Sequence, residues 1–217
     1  ERIRFTTSHP NAFTPQLVSA FAEEHKLVSH LHFPVQSGSN RVLSAMKRGY
    51  TREMYLEKIA AIMDARPGIA FSSDFIVGFP GETEDDFLQT MDLVDQVKFD
   101  ISFSFIYSPR PGTPAAELPD LVPHSEKLRR LQALQEKLSA YAQGHALSMR
   151  GQTHSVLVEG FDKKTGKLLK GRTESNRVVL FTGPKACIGQ VVPVDISEVF
   201  ANTLRGRFHY IDELAEA

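Results

Sequence analysis

Four clusters of polar, glycine and proline residues each follow an apolar run in the first half of the chain. They are Thr6-Thr7-Ser8-His9-Pro10, Gln36-Ser37-Gly38-Ser39, Gly78-Phe79-Pro80-Gly81-Glu82-Thr83 and Ser108-Pro109-Arg110-Pro111-Gly112-Thr113-Pro114. Apolar runs that end this way are what a parallel α/β layer presents where ligands bind, at the carboxyl ends of its strands. Gln36 offers a carboxamide for a ribose or amide group, and is equally suited to a turn. Ser37-Gly38-Ser39 brings backbone donors to a helix start, which suits a carboxylate as well as a simple cap. Asp74 stands in an otherwise apolar run; a buried acid needs a partner, either a fixed donor or ligand hydroxyls. Lys47-Arg48 supplies cations at a helix end, where they are favoured in any case. Gly78 and Gly81 allow backbone to approach a ligand closely. His9 is a candidate acid–base group or a structural hydrogen-bonder. His30 and His32, two residues apart, face the same side of a strand; no further metal ligands cluster with them, so no metal site is assigned.

The elements that must hold these residues alternate. Strands are expected at Ile3–Thr6, Val28–Val35, Ile69–Val77 and Phe99–Tyr107. Helices are expected between them, opened by Thr14-Pro15, Ser39 or Asn40, Thr51, and the capping-box-like Thr83-Glu84-Asp85-Asp86. Arg66-Pro67-Gly68 stops the third helix. Repeated strand–helix units imply a parallel sheet with right-handed crossovers. A proline-punctuated stretch, Ser108 to Pro123, then leads into a long helix over about Ser125–Arg150, with Leu128, Leu131, Leu134 and Leu138 as its buried stripe.

From Gln152 the pattern is all-β. Thr153–Glu159, Leu168–Thr173, Arg177–Phe181, Gln190–Val199 and Leu204–Tyr210 are short β-branched runs, expected to form a small OB-like barrel. Charge separates the two parts. Residues 151–210 carry nine Lys/Arg against five acids, while 1–150 carry 16 basic and 18 acidic groups and 211–217 carry three acids. The total of −1 therefore conceals a module of +4. A basic OB-like barrel suits nucleic acid, because its cations neutralise phosphates.

Composition excludes several classes. Hydrophobic residues are 41% of the 217, enough for a core, and no run approaches the ~20 apolar residues needed to span a bilayer. We read a soluble, cytoplasmic protein with no membrane partner. The one cysteine, Cys187, rules out an internal disulfide and, by itself, an iron–sulfur site. The chain opens on Glu1 and runs at once into a strand-like segment, so we expect a longer protein.

Six strings in order resemble one family: Phe5-Thr6-Thr7-Ser8-His9-Pro10; His32-Phe33-Pro34-Val35-Gln36-Ser37-Gly38-Ser39; Met46-Lys47-Arg48; Ser73 through Thr83; Tyr107 through Ala116; and Gly171-Arg172-Thr173-Glu174-Ser175-Asn176-Arg177. They resemble the radical SAM methylthiotransferases, in the branch acting on adenosine 37 of tRNA. The resemblance implies an α/β partial, TIM-like radical SAM barrel, of which residues 1–150 are the second half with a linking helix. Residues 151–217 would be an OB-like TRAM domain. The implied function is methylthiolation at C2 of N6-dimethylallyladenosine. The implied cofactors are S-adenosylmethionine and two 4Fe-4S clusters, whose six cysteines are not in this chain. The implied partners are tRNA, through its anticodon arm, and an electron donor such as flavodoxin or ferredoxin. Gln36, Arg48 and Asp74 resemble the positions that hold S-adenosylmethionine, with Ser37, Ser39, Val77 and Gly78 as neighbours. Arg172, Asn176 and Arg177 resemble tRNA-facing residues of TRAM domains. No catalytic residue and no metal ligand is assigned within the chain. Two other readings stay open: a methylthiotransferase for N6-threonylcarbamoyladenosine, and a non-catalytic RNA-binding fragment.

Overall fold

In the computed structural model, residues 2–7 and 9–209 are described; Glu1, Ser8, Tyr210 and the acidic segment 211–217 lie outside them. The chain divides into two compact units, one spanning Arg2–Ala142 and the other beginning at Gln143.

The first unit is a short parallel layer flanked by helices. Strand β1 (His30–His32) pairs in parallel with β2 (Ala70–Ser72), and β3 (Asp74–Val77) pairs in parallel with β4 (Phe103–Ile106). Ahead of them, Ile3 and Thr6 make single parallel bridges to Leu27 and His32 in place of the full strand expected at Ile3–Thr6. The sequence predicts one strand over Ile69–Val77; it is instead interrupted at Ser73. There the side chain takes over ladder duty: Ser73 Oγ accepts the Val35 amide at 3.0 Å, and the Ser73 amide donates to Ser102 Oγ at 3.0 Å. Pairing resumes beyond it, with the Gln36 amide donating to Asp74 O at 2.9 Å and the Phe103 amide to Ser73 O at 2.9 Å.

The helices begin where local rules place them. Helix α1 (Pro15–Glu23) starts on a proline after Thr14, α2 (Asn40–Ala45) is capped by Ser39 Oγ, and α3 (Arg52–Ala65) by Thr51 Oγ1. Helix α4 (Glu84–Val97) carries a reciprocal capping box between Thr83 and Asp86, which satisfies two amides that would otherwise lack partners. The core between layer and helices is aromatic. Phe33 stacks on Tyr55 with ring centroids 5.0 Å apart, and Phe75 meets Phe99 edge-on at 5.3 Å. Tyr55 and Tyr50 each bury a ring and donate a hydroxyl to strand carbonyls, Phe33 O at 2.8 Å and Val35 O at 2.9 Å. These two bonds fix the backbone immediately before Gln36.

Helix α5 (His124–Ser148) crosses from the first unit into the second. Of its leucine stripe, Leu134 and Leu138 are buried in the first core and Leu131 packs against it, but Leu128 is exposed. The first turn of α5 is held by charge, through Glu126 and Arg130, rather than by leucine packing.

The second unit is a closed five-stranded barrel. Strands β5 (Thr153–Phe161), β6 (Leu169–Arg172), β7 (Val178–Thr182), β8 (Val191–Val199) and β9 (Leu204–Phe208) close in the order β5-β6-β7-β9-β8, consistent with an OB-like fold. All neighbours are antiparallel except β7 and β9. Alternate residues such as Val156, Val158, Val179, Phe181, Val194 and Leu204 fill the interior. Closure removes the exposed sheet edges that a small β module would otherwise present. Among the described residues, no helix is long and apolar enough to cross a membrane.

Candidate cofactor site and nucleic-acid interface

The polar residues of the first unit gather at the carboxyl ends of β1, β2 and β3. Gln36 is 8% exposed and holds φ at 74°, a left-handed conformation that costs a non-glycine residue about 1 kcal/mol or more. Its backbone is used twice, donating to Asp74 O and accepting from the Ile76 amide at 2.9 Å. Its carboxamide has no hydrogen-bond partner among the described residues. Strained backbone that leaves a polar side chain uncommitted is a mark of a binding position. Arg48 follows α2, half-buried, near Tyr50, whose hydroxyl anchors Val35. Burial pushes the Tyr50 phenol up to about 12, and the nearby Arg48 cation draws it partly back.

Asp74 stands at the head of β3 with its side chain 30% exposed and Oδ2 3.4 Å from His32 Nε2. His32 Nδ1 in turn lies 2.9 Å from Ser72 Oγ, and Ser72 Oγ lies 3.2 Å from His30 Nε2. A carboxylate accepts only, so the His32 nitrogen facing it carries the proton, and Nδ1 accepts from the Ser72 hydroxyl. Ser72 then accepts from His30. The result is a directed chain from buried His30 to the partly exposed Asp74 carboxylate. His30 is held down to about 4, first by burial and then by the electrostatic influence of nearby Arg4 and His32. Asp74 thus has the His32 ring within ion-pair distance on one side and solvent on the other.

Ser37, Ser39, Val77 and Gly78 are committed within the protein. Ser37 Oγ accepts from the Ser39 amide at 3.2 Å and lies 3.4 Å from Thr90 Oγ1. Ser39 Oγ caps α2 and donates to Asp86 Oδ1 at 2.6 Å. Asp86 also accepts from Arg41 and from the Thr83 hydroxyl and amide. Burial alone would raise the Asp86 carboxyl, but the bonds from Arg41, Ser39 and Thr83 hold it far below the usual range. Val77 O accepts from the Tyr107 amide at 2.9 Å, and the Gly78 amide donates to Glu82 Oε2 at 2.7 Å. The space beside Gly78 is filled by the Lys127 stem, whose Cγ is 2.5 Å from where a Cβ would sit. Gly78 is thus required by close packing of α5.

Sequence reasoning passed over His32 and Ser72 as partners of Asp74. The signal was present in the same-side spacing of His30 and His32. What it lacked was the pairing that sets Ser72 beside His32, 40 residues away.

In the barrel, Arg172 is half-buried and tied down: Nε donates to Glu159 Oε1 at 3.0 Å and Nη1 to Asn176 O at 3.2 Å. Asn176 adopts φ 68° in the β6–β7 turn. Arg177 is only 5% exposed, and its amide donates to Thr173 Oγ1 at 3.1 Å. Cys187 is buried in the barrel core, and among the described residues no group of three His, Cys, Asp or Glu could hold a metal ion.

Comparison with known proteins agrees with this division. Residues 1–94 match the Radical SAM superfamily and residues 147–208 match the TRAM domain. The chain is 58% identical over 206 residues to the tRNA-2-methylthio-N(6)-dimethylallyladenosine synthase of Paracidovorax citrulli, covering 95% of the chain and 46% of that relative. It is 57% identical over 206 residues to the synthase of the same name from Legionella pneumophila strain Corby, with the same coverage of each. The Nitrosospira multiformis synthase is 56% identical over 206 residues, which are 95% of the chain and 44% of the relative. The chain spans about half the length of the curated relatives it matches. The chain thus carries a segment similar to the Radical SAM superfamily followed by one similar to the TRAM domain, and shares more than half of its residues with these synthases along nearly its whole length.

Proposed function

We infer that this chain supplies the cofactor-holding half and the RNA-binding module of an enzyme that methylthiolates C2 of N6-dimethylallyladenosine 37 in tRNA. The observation that carries this is the identity of 54–58% with synthases of that name, sustained across both units. The parallel layer is then part of a TIM-like barrel over residues 1–150, and 151–217 the TRAM domain.

S-adenosylmethionine, the family's cofactor, fits the side chains left uncommitted. The unpartnered Gln36 carboxamide and the outer edge of the Asp74 carboxylate suit ribose hydroxyls and the amino group. Arg48 suits the carboxylate. Ser37 and Ser39 lock the loop under Gln36 to α4, and Val77 and Gly78 lock the end of β3 to the strand and helix beside it. They act by holding the first three in place. Held by Gln36, Asp74 and Arg48, the cofactor would supply the hydrogen-abstracting group and a methyl group. The chain's own part is to orient it and shield it from water on a rigid, apolar floor. Two 4Fe-4S clusters do not fit these residues, because a single buried cysteine cannot ligate either. Their ligands belong to residues beyond these 217, and reduction would come from a flavodoxin- or ferredoxin-like donor. The TRAM domain would grip the anticodon arm through charge while the base is presented to the barrel.

Mass spectrometry of tRNA nucleosides from a strain lacking the gene tests the reading. The 2-methylthio group on N6-dimethylallyladenosine should vanish and return with the wild-type gene. It should not return with the Asp74→Asn gene. Normal 2-methylthio levels in the deletion strain would overturn the assignment.

A further inference from the structure

The arginines that the barrel leaves exposed are not those of the β6–β7 turn. Arg172 is engaged by Glu159 and Asn176, and Arg177 is buried. Strand β9 instead alternates Leu204 and Gly206 inward with Arg205 and Arg207 outward, both exposed. In register, Arg207 sits between Thr182 on β7 and Asp195 on β8. Arg205 lies over the ring of Phe200 at 5.3 Å, and that ring is 47% exposed. A third exposed arginine, Arg150, joins them from the end of α5, its Nε donating to Ser197 O at 3.1 Å.

The strand geometry explains why these groups share one face. The β8–β9 register shifts between Ile196 and Glu198, leaving Ser197 as an extra residue opposite β9. Such a bulge bends its strand and re-aims the side chains beside it. The bend borders an open cleft of about 890 Å³, lined by Thr182, Gly183, Asp195, Ser197 and Arg207 among others. Asp195 is the cleft's acid, but its charge is engaged: Thr153 Oγ1 donates to it at 2.5 Å and His209 Nδ1 lies 2.9 Å away. Glu198, also exposed, pairs in register with Arg205.

We propose that this β7–β9–β8 face, and not the β6–β7 turn, is the RNA-binding surface of the barrel. It takes a single-stranded RNA segment whose phosphates meet Arg150, Arg205 and Arg207 and whose unstacked base lies on Phe200. The chemistry follows from the groups present. Guanidinium forks match phosphate oxygens, an exposed aromatic ring offers a stacking platform, and the cleft has room and polar edges for a nucleotide. The proposal rests on the reading of this chain as part of a tRNA-modifying protein and names the surface that does the binding.

The test is tRNA binding by the intact protein, measured by fluorescence anisotropy over a range of salt concentrations. The double variant Arg205→Ala, Arg207→Ala should lower the slope of log K against log salt by about 2. Phe200→Ala should weaken binding by roughly ten-fold or more while leaving that slope in place. Arg172→Ala should alter neither. Unaltered circular dichroism and melting of each variant establish that the barrel is intact. If the double variant keeps the wild-type slope while Arg172→Ala lowers it, the proposal is overturned and the tRNA reading stands. If the wild-type protein binds tRNA no better than an unrelated RNA duplex at any salt, the tRNA reading itself falls.

Discussion

Arg130 Nη1 donates to Glu82 Oε2 at 2.8 Å, and the two side chains are only 5% and 1% exposed. The same Glu82 oxygen accepts the Gly78 amide at 2.7 Å, so one carboxylate joins α5 to the turn that follows β3. Burial pushes the Glu82 carboxyl up, while the Gly78 amide and Arg130 pull it back. Removing one partner of a buried pair strands the other charge. Arg130→Leu should therefore destabilise the first unit by about 3–5 kcal/mol at pH 7. The sign with pH is fixed. Without the guanidinium the folded-state carboxyl rises further above its unfolded value, so the deficit grows as pH climbs from 4 to 7. Urea unfolding at both pH values checks this; a deficit independent of pH would show that Glu82 is not the stranded charge.

His30 makes the opposite contribution. Burial, with Arg4 and His32, lowers it to about 4, below the ordinary 6.5. The unfolded chain then binds more protons than the folded one between those values, so stability falls as pH drops through 6.5 and the loss is complete near 4. Between pH 7 and pH 5 the loss should be on the order of 2 kcal/mol, and His30→Gln should abolish it. The same pH step measured in both proteins would remove His30 from the account.

The chain from His30 through Ser72 and His32 to Asp74 fixes one tautomer of His32. Nitrogen-15 spectra of histidine-labelled protein, assigned with His32→Gln, should show Nε2 protonated and Nδ1 bare. Ser72→Ala should populate the other tautomer and weaken S-adenosylmethionine binding roughly three- to ten-fold, the worth of one hydrogen bond. Predominantly Nδ1-protonated His32 in the wild type would break the chain at its centre.

Two glycines should respond in opposite directions to alanine. A Cβ on Gly38 would stand 2.5 Å from Gln89 O and 2.6 Å from Thr90 Cα, both rigid backbone of α4. Gly38→Ala should cost about 1–3 kcal/mol or more and loosen the loop beneath Gln36. Gly144 lies inside α5 with nothing within 4 Å of the added carbon. Gly144→Ala should stabilise by about 0.5–1 kcal/mol. Thermal melts of the two variants suffice, and stabilisation by Gly38→Ala would contradict the close approach of loop and helix.

Local chemistry alone located much of this protein. Thr51, Thr83 and Ser39 cap helices as their types and spacing require, because a cap is made within three residues of sequence. The β runs from Thr153 onward alternate with period 2, and the +4 charge of that module is a count. The ordered motif strings also carried the family resemblance before any pairing was known. The tertiary structure decided what those local rules do not reach. Ile69–Val77 is interrupted at Ser73 because strands on either side draw on it, and Asp74 meets His32 only through parallel pairing across some 40 residues. Ser37 and Ser39 turned inward to Thr90 and Asp86, more than 45 residues along the chain. Which arginines reach solvent was settled by barrel closure, which buried Arg177 and turned Arg205 and Arg207 outward. Spacing within a segment says which side chains share a face; only long-range pairing says what that face meets.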